Sequence, residues 1–238
     1  MPAYRYFSDS SLLKGQTVQI TDQEFHHFAR VMRGGVGDVV EFVDGKGTLA
    51  FATISKKSRR DATAVIDNVT KIEAPKEKRV IAQALPKTNR IEFILEKCTE
   101  LGMTEIWLFE SDHSEKKKIS DNQLQRMHNI LVSSMKQCGR LYLPKLVLKP
   151  HFSEWDLPKD CLLLFGDVDP SAEPLLKVLQ SEKELKGALF FVGPESGFSD
   201  REVVTLREMG VRGVKLHKNI LRTDTAPMVA LSIIQSLY

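Results

Sequence analysis

Two patterns of apolar and polar positions divide this chain. Up to about residue 72 the apolar residues come in short strand-like runs: 39–43, 48–54 and 62–66. The first two flank Asp44-Gly45-Lys46-Gly47, a turn-forming segment, and so predict a hairpin. Thr21-Asp22-Gln23-Glu24 has the form of a capping box and predicts a short helix through Phe25, Phe28 and Val31. These pieces fit a small β-barrel with one helix. Gly34-Gly35-Val36-Gly37 is glycine-rich, but it precedes a strand, whereas a dinucleotide cradle follows a strand and opens a helix. It reads as a turn.

Residues 73–78, Glu-Ala-Pro-Lys-Glu-Lys, are charged and carry a proline, and they read as a linker between domains at 1–72 and 78–238. Beyond it the pattern alternates. Strands are predicted at 79–85, 105–109, 162–165, 189–192 and 211–216. Helices are predicted at 90–100 and from an Asp121 or Asn122 cap to 137, with others between the later strands. Such alternation predicts an α/β domain with a mostly parallel sheet covered on both faces. The last helix, from 226 to 238, contains no charged residue. A helix without a charged face lies in a core or against another subunit, and a homodimer interface is expected there.

Two segments near the C-terminus carry the chemistry. In the first, an apolar run stops at Gly193-Pro194, and Ser199 with Glu202 forms a capping box that opens a helix. In the second, Val214 and Leu216 lead through a polar loop to Thr223-Asp224-Thr225, three N-cap candidates before the final helix. Loops at the carboxyl ends of strands are where open α/β sheets bind ligands. A third loop, Phe165-Gly166-Asp167, follows another apolar run. The turn after the first strand of this half, Pro86-Lys87-Thr88-Asn89, has no glycine, so the ligand site is expected at the later loops. Their backbone groups beside small residues suit a purine and ribose held by main-chain hydrogen bonds.

Composition narrows the classes. Hydrophobic residues make up 42% and charged residues 27%, values of an ordinary globular protein. No apolar run approaches the roughly 20 residues of a membrane span, and the first residues lack a signal-peptide stretch. Cys98, Cys138 and Cys161 are odd in number and far apart, which argues for a reducing cytoplasm and against a zinc site. No metal is implied. Net charge is +3, too mild to indicate nucleic acid alone. Lys56-Lys57-Ser58-Arg59-Arg60 and Lys116-Lys117-Lys118 are local basic runs that suit either phosphate contact or a solvated face.

Gly193-Pro194-Glu195-x-Gly197-Phe198-Ser199 together with Ile220-Leu221-Arg222-Thr223-Asp224-Thr225-Ala226 resembles the paired signature of the RsmE family. These are SPOUT-superfamily methyltransferases acting on uracil N3 of small-subunit (16S) ribosomal RNA. Arg5-Tyr6-Phe7 and His26-His27-Phe28-x-Arg30-Val31-Met32-Arg33 resemble the family's PUA-like RNA-binding domain. Glu96-Lys97-Cys98-Thr99-Glu100-Leu101-Gly102 and Gln137-Cys138-Gly139-Arg140 resemble two further family segments. The resemblance implies a trefoil-knotted α/β domain that binds S-adenosylmethionine (SAM), a dimer through the C-terminal helix and knot, and a cytoplasmic enzyme acting on rRNA or the assembled 30S subunit. It places the cofactor against Phe165, Gly166, Val192, Gly193, Pro194, Glu195, Gly197, Leu216, Asn219, Ile220, Leu221, Thr223 and Thr225. Ser196, His217, Asp224 and Pro227 depart from the family's usual glycine, glycine, glutamate and alanine. Ser196 keeps the turn only where φ need not be positive.

The implied reaction needs in-line positioning and a group that favours the uracil anion. Arg222 fits that role, since a guanidinium stays charged and offers paired donors. The alternative for Arg222 is a structural ion pair with Asp224 or Glu195. Glu195 either accepts the proton, orients Arg222 or serves as a backbone-bonding loop residue. Arg5, Arg30, Arg33, Lys87, Arg90 and Arg140 are candidates for RNA phosphate contact. Two other functions keep the same fold: methylation of another RNA nucleotide, and a non-catalytic RNA-binding assembly factor.

Overall fold

The computed structural model describes residues 5–114, 118–182 and 186–236. Backbone proximity divides the chain into two units, residues 1–74 with 132–143, and residues 75–131 with 144–238. Lys116 and Lys117 of the second basic run, and residues 237–238 of the expected last helix, lie outside the described residues.

The first unit contains β1 (Arg5–Phe7), β2 (Thr17–Ile20), α1 (Asp22–His26), β3 (Val39–Val43), β4 (Thr48–Lys57) and β5 (Ala62–Lys71). They form a barrel-like mixed sheet in the order β1-β3-β4-β5-β2, with β1 and β3 parallel and the other neighbours antiparallel. Along β4 every second residue from Thr48 to Ile54 is buried, the period-two pattern of a strand with one face on a core. That core gathers Tyr6, Phe28, Phe42, Ile54 and Ile66, with the Tyr6 ring 5.8 Å from Phe42 and 6.3 Å from Phe28.

Three expectations change here. The hairpin is longer than its apolar run, because β4 takes in Ser55, Lys56 and Lys57 as exposed residues. The capping box at Thr21 does not form: its hydroxyl donates to Asp22, which stands at φ +50°, so the amide three residues on is not reached. The helix also widens into a π-type turn over His27–Val31, with Met32 N–H donating to His27 O. The wider spacing leaves Phe28 buried but Val31 61% exposed. Gly34 is required where it stands, since a Cβ there would come within 2.0 Å of the Phe28 ring.

The second unit begins with β6 (Lys78–Ala84), α2 (Thr88–Glu100), β7 (Glu105–Phe109) and the start of α3 (Asp121–Cys138), whose last residues count with the first unit. It continues through β8 (Lys145–Leu148), β9 (Leu162–Gly166), β10 (Glu173–Pro174), α4 (Leu175–Ser181), β11 (Gly187–Val192), α5 (Asp200–Glu208), β12 (Arg212–Lys215) and α6 (Thr225–Gln235). The strands form one all-parallel sheet in the order β10-β12-β9-β11-β6-β7-β8. A smaller β unit followed in sequence by a parallel α/β unit is the architecture expected. Ser120, rather than Asp121 or Asn122, caps α3: it and Gln123 exchange hydrogen bonds.

All of β11, and β6 after its first residue, is buried, as strands with both faces covered must be. Val80, Ala82, Ala84, Leu189 and Phe191 pack with Phe109, Phe152, Trp155 and Leu206; the Trp155 and Phe191 rings stack at 5.4 Å. The alternate residues of β6 include one polar side chain in the apolar run, Gln83, fully buried opposite Val192. From β6 the chain moves to β7 and β8 on one side, then returns to lay β9, β11 and β12 on the other. That reversal marks the crevice where such sheets take ligands.

Phe191→Ala is expected to lower unfolding free energy by about 3–5 kcal/mol, the range for emptying a packed aromatic site. Urea denaturation measures it, and a loss below about 1 kcal/mol would contradict this packing.

Candidate active site

The turns that follow β9, β11 and β12 stand beside one another because their strands do. The β11 turn is tight: Gly197 N–H donates to Pro194 O at 3.0 Å, with Gly197 at φ +75°. A side chain at Gly193 would press on the backbone of Gly197 and Phe198 at 3.1–3.4 Å. Ser196 is not in the left-handed region, so a serine is tolerated where a glycine was expected. After the turn, Ser199 and Glu202 complete the capping box in both directions.

The β12 turn is joined to the β11 turn by a chain of hydrogen bonds. Gln83 Nε2 donates to Thr223 Oγ1 at 3.0 Å, and Thr223 Oγ1 donates to Gly193 O at 2.7 Å. The other Nε2 hydrogen goes to Ala84 O at 2.9 Å. Gln83 Oε1 is buried with no partner among the described residues, an acceptor left at the place where β6, β11 and the second turn meet. Thr223 therefore does not cap α6 with its side chain. Neither does Asp224, which stands at the cap position and accepts from the Thr225 hydroxyl without making a side-chain capping bond. The β9 turn joins the same group through Asp167 N–H to Val214 O at 2.9 Å.

Charge supplies a second tie. Arg90, in the first turn of α2, reaches Glu195 Oε1 with Nε at 3.1 Å and Asp224 Oδ2 with Nη1 at 2.6 Å. Glu195 Oε1 also accepts from Lys87 N–H at 3.1 Å. Arg222, by contrast, is exposed and has no ion pair among the described residues. Its carbonyl accepts from Thr225 and Ala226 N–H, which starts α6.

A third tie holds the outer side of the β11 turn. Buried Glu202 accepts from Ser199 N–H and Ser111 Oγ on one oxygen, and from Asp112 N–H and His151 Nε2 on the other, at 2.8–3.4 Å. Ser153 N–H points at His151 Nδ1, which makes Nδ1 the acceptor and leaves the ring proton on Nε2. Asp112 accepts from Ser199 Oγ and pairs with Arg201. The Ser199 hydroxyl, then Arg201, hold its carboxyl below the ordinary aspartate value. Ligand atoms of Asp112, His151 and Glu202 lie within 4.8 Å of one another, a spacing that suits a metal ion. Hydrogen bonds nevertheless occupy both Glu202 oxygens, and the cluster acts as a buttress for the turn.

The cofactor residues inferred from sequence fall on these turns. Phe165 and Val192 are buried strand ends, Gly166, Gly193 and Pro194 follow them, and Thr223 and Thr225 bracket the junction. Glu195 and Gly197 are exposed on the first turn, though the Glu195 side chain itself is only 25% exposed, and Leu216 and Leu221 are half-buried on the second. Asn219 is exposed there, its N–H donating to His217 Nδ1. Ile220 is 84% exposed, an apolar side chain left outside the core. Gln83 was missed by sequence reasoning; its signal is a lone amide in an apolar strand.

The candidate RNA residues separate. Arg5 is enclosed and bonded to Glu41 at 2.7 Å, and Arg90 is committed to two carboxylates. Arg30 and Arg33 are exposed, Arg33 with φ +54°. Lys87 is exposed, and Arg140 is half-buried with its N–H on Met135 O. The hairpin tip adds Lys56, Arg59 and Arg60, all exposed, around a Ser58-centred turn.

A parallel sheet whose carboxyl ends carry three interlocked turns, together with a smaller β unit earlier in the chain, defines a class: residues 73–235 match the RNA methyltransferase domain family, and residues 20–67 match the RNA methyltransferase PUA domain. The chain belongs to the RNA methyltransferase family. Its relatives include ribosomal RNA small subunit methyltransferase E of Buchnera aphidicola, 26% identical over 98% of this chain and 93% of the relative. The protein of the same name from Synechocystis is 29% identical over 99% of this chain and 78% of its own. Among solved structures, ribosomal RNA small subunit methyltransferase E of Neisseria gonorrhoeae bound to S-adenosyl methionine superposes with a TM-score of 0.86, at 28% identity over 99% of this chain and 98% of that one.

Gln83→Leu and Thr223→Val each break the same hydrogen-bond chain. A double-mutant cycle read by urea unfolding is expected to give a coupling of about 0.5–3 kcal/mol, the range for residues in one network; additive losses would contradict the chain. Asp112 contributes stability above the ordinary aspartate pKa of about 3.9, and that part is lost as pH falls through its lower folded value. The gap in melting temperature between wild type and Asp112→Asn is therefore expected to close on acidification below about pH 4. A gap constant with pH would contradict the assignment.

Proposed function

We propose that this protein transfers a methyl group from SAM to N3 of a uridine in small-subunit ribosomal RNA, as a cytoplasmic homodimer of the SPOUT type with a knotted C-terminal domain. The observation that carries the reading is the junction of the two signature turns, fastened by Gln83–Thr223–Gly193, with Arg222, which has no ion pair among the described residues, next to Thr223 in sequence. The site fits the cofactor: three turns present backbone groups, open space adjoins Gly197, and Gln83 Oε1 is an unfilled buried acceptor. The Val192–Gly197 and Leu216–Thr225 turns, with Phe165 and Gly166, would hold it. When bound, SAM supplies an activated methyl group on a sulfonium.

The chain's own part is to place the base and favour its anion. Uracil N3 lies between two carbonyls, and its lone pair becomes available when the N–H proton leaves. A guanidinium beside one carbonyl oxygen stabilises the charge that spreads onto it, and Arg222 is the free one on these turns. Glu195 is already engaged by Lys87 N–H and Arg90, so its part is positional and the proton goes to solvent.

Arg30, Arg33 and the Lys56–Arg60 tip supply phosphate contacts that position the RNA without reading its sequence. The target uridine must leave its stack to reach the methyl donor. Dimerisation is favoured by α6. Its Pro227, Ala230, Leu231 and Ile234 are buried in the single chain, while uncharged Met228, Val229 and Ile233 remain partly exposed. Among the described residues no helix is long and apolar enough to cross a membrane.

Nucleoside mass spectrometry of rRNA from a deletion strain is expected to lose the 3-methyluridine signal; an unchanged signal would refute the proposal. Arg222→Ala is expected to cut methylation by about 100-fold or more, the scale for removing a charge-stabilising donor, while the protein stays folded. Near-normal turnover in a radiolabelled methyl-transfer assay would remove Arg222 from the mechanism.

A further inference from the structure

Glu195 and Asp224 are the two acidic residues in the segments 193–198 and 217–225, and both are bound by one guanidinium, that of Arg90. Arg222 stands two residues before Asp224 and next to Thr223, whose hydroxyl is bonded to Gly193. Glu195 follows Gly193 by two residues. Arg222 is thus carried on backbone tied to the segments that carry both acids, and a flexible cation so placed pairs with them unless a better partner holds them first. Arg90 is that partner. It offers separate donors to each acid, at 3.1 and 2.6 Å, and the three side chains are only 18–27% exposed. At that burial the contacts are screened less than those of surface pairs.

We infer that Arg90 is a positioning residue whose task is to sequester Glu195 and Asp224, which keeps Arg222 unpaired for the substrate. Glu195 is further pinned by Lys87 N–H, so its carboxylate faces Arg90 with a fixed oxygen. Without Arg90, two partly desolvated carboxylates would lack a counter-ion, and Arg222 would be drawn to them. The activity would then fall for a reason separate from any loosening of the turns. This inference rests on the role proposed above for Arg222.

The two causes separate by rescue. Methylation of 16S rRNA and calorimetric SAM binding are measured for wild type, Arg222→Ala, Arg90→Met, Arg90→Lys and the triple variant Arg90→Met/Glu195→Gln/Asp224→Asn. Gln and Asn keep the acceptor oxygens used by Lys87 N–H and the Thr225 hydroxyl but cannot hold an arginine as an ion pair. Arg90→Met is expected to lower kcat at least about tenfold, a loss within the range for one charge-stabilising group. The triple variant is expected to recover most of that loss, and Arg90→Lys to retain more kcat than Arg90→Met. No recovery in a folded triple variant that binds SAM would overturn the inference, leaving Arg90 as a structural tie. Should Arg90→Met not fold, the triple variant decides alone: folded and active supports the inference, folded and inactive overturns it. Arg222→Ala with near-normal turnover would bring down the underlying reading, and the inference with it, as a separately visible result.

Discussion

One buried side chain sets the terms for the rest of the molecule. Gln83 sits near the carboxyl end of an interior strand of a parallel sheet with both faces covered, where an amide left unbonded costs about 1–3 kcal/mol. One hydrogen of its amide nitrogen goes to Ala84 O beside it; the other reaches Thr223 Oγ1 only if the segment carrying Thr223 is in place, and Thr223 in turn donates to Gly193 O. Residues separated by 140 and 30 positions in sequence are thus forced to one point at the end of β6. The unfilled Gln83 oxygen is the remaining demand at that point, and a ligand donor would meet it.

Around this junction the turns are held in complementary ways. Arg90 binds their two acids from the α2 side, while Glu202 holds the exit of the β11 turn through four hydrogen bonds. The β11 turn is thereby fixed at its base, its middle and its end. Such fixing suits methyl transfer, which needs the acceptor and donor in line and asks little else of the protein. It also explains how Ser196 can replace glycine: the turn puts its positive φ on Gly197 instead.

What could be read from the sequence follows the range of the interactions. The strands of the sheet interior were legible because two-face burial writes continuous apolar runs, and the Ser199–Glu202 box because both partners lie within one turn. The local reading failed where backbone conformation intervened. Thr21 has the right residue types for a capping box, but Asp22 takes a left-handed conformation, and the π-type turn moves Val31 out of the core. The edge strands β1, β2, β8 and β10 are too short for their pattern to stand out. The role of Arg90 was hidden for a different reason. Its ion pairs span 105 and 134 positions, and nothing local distinguishes it from a solvated arginine. Arg5 likewise read as a surface cation and is enclosed with Glu41.

The central claim is that the turns at 193–198 and 217–225 form one pocket for the methyl donor. A crystal structure of the protein with SAM tests it most directly. The cofactor is expected between those turns, with a donor group near Gln83 Oε1 and with Arg222 free of Glu195 and Asp224. Cofactor bound elsewhere on the molecule, or a Gln83 oxygen still without a donor while Arg222 pairs with either acid, would contradict it.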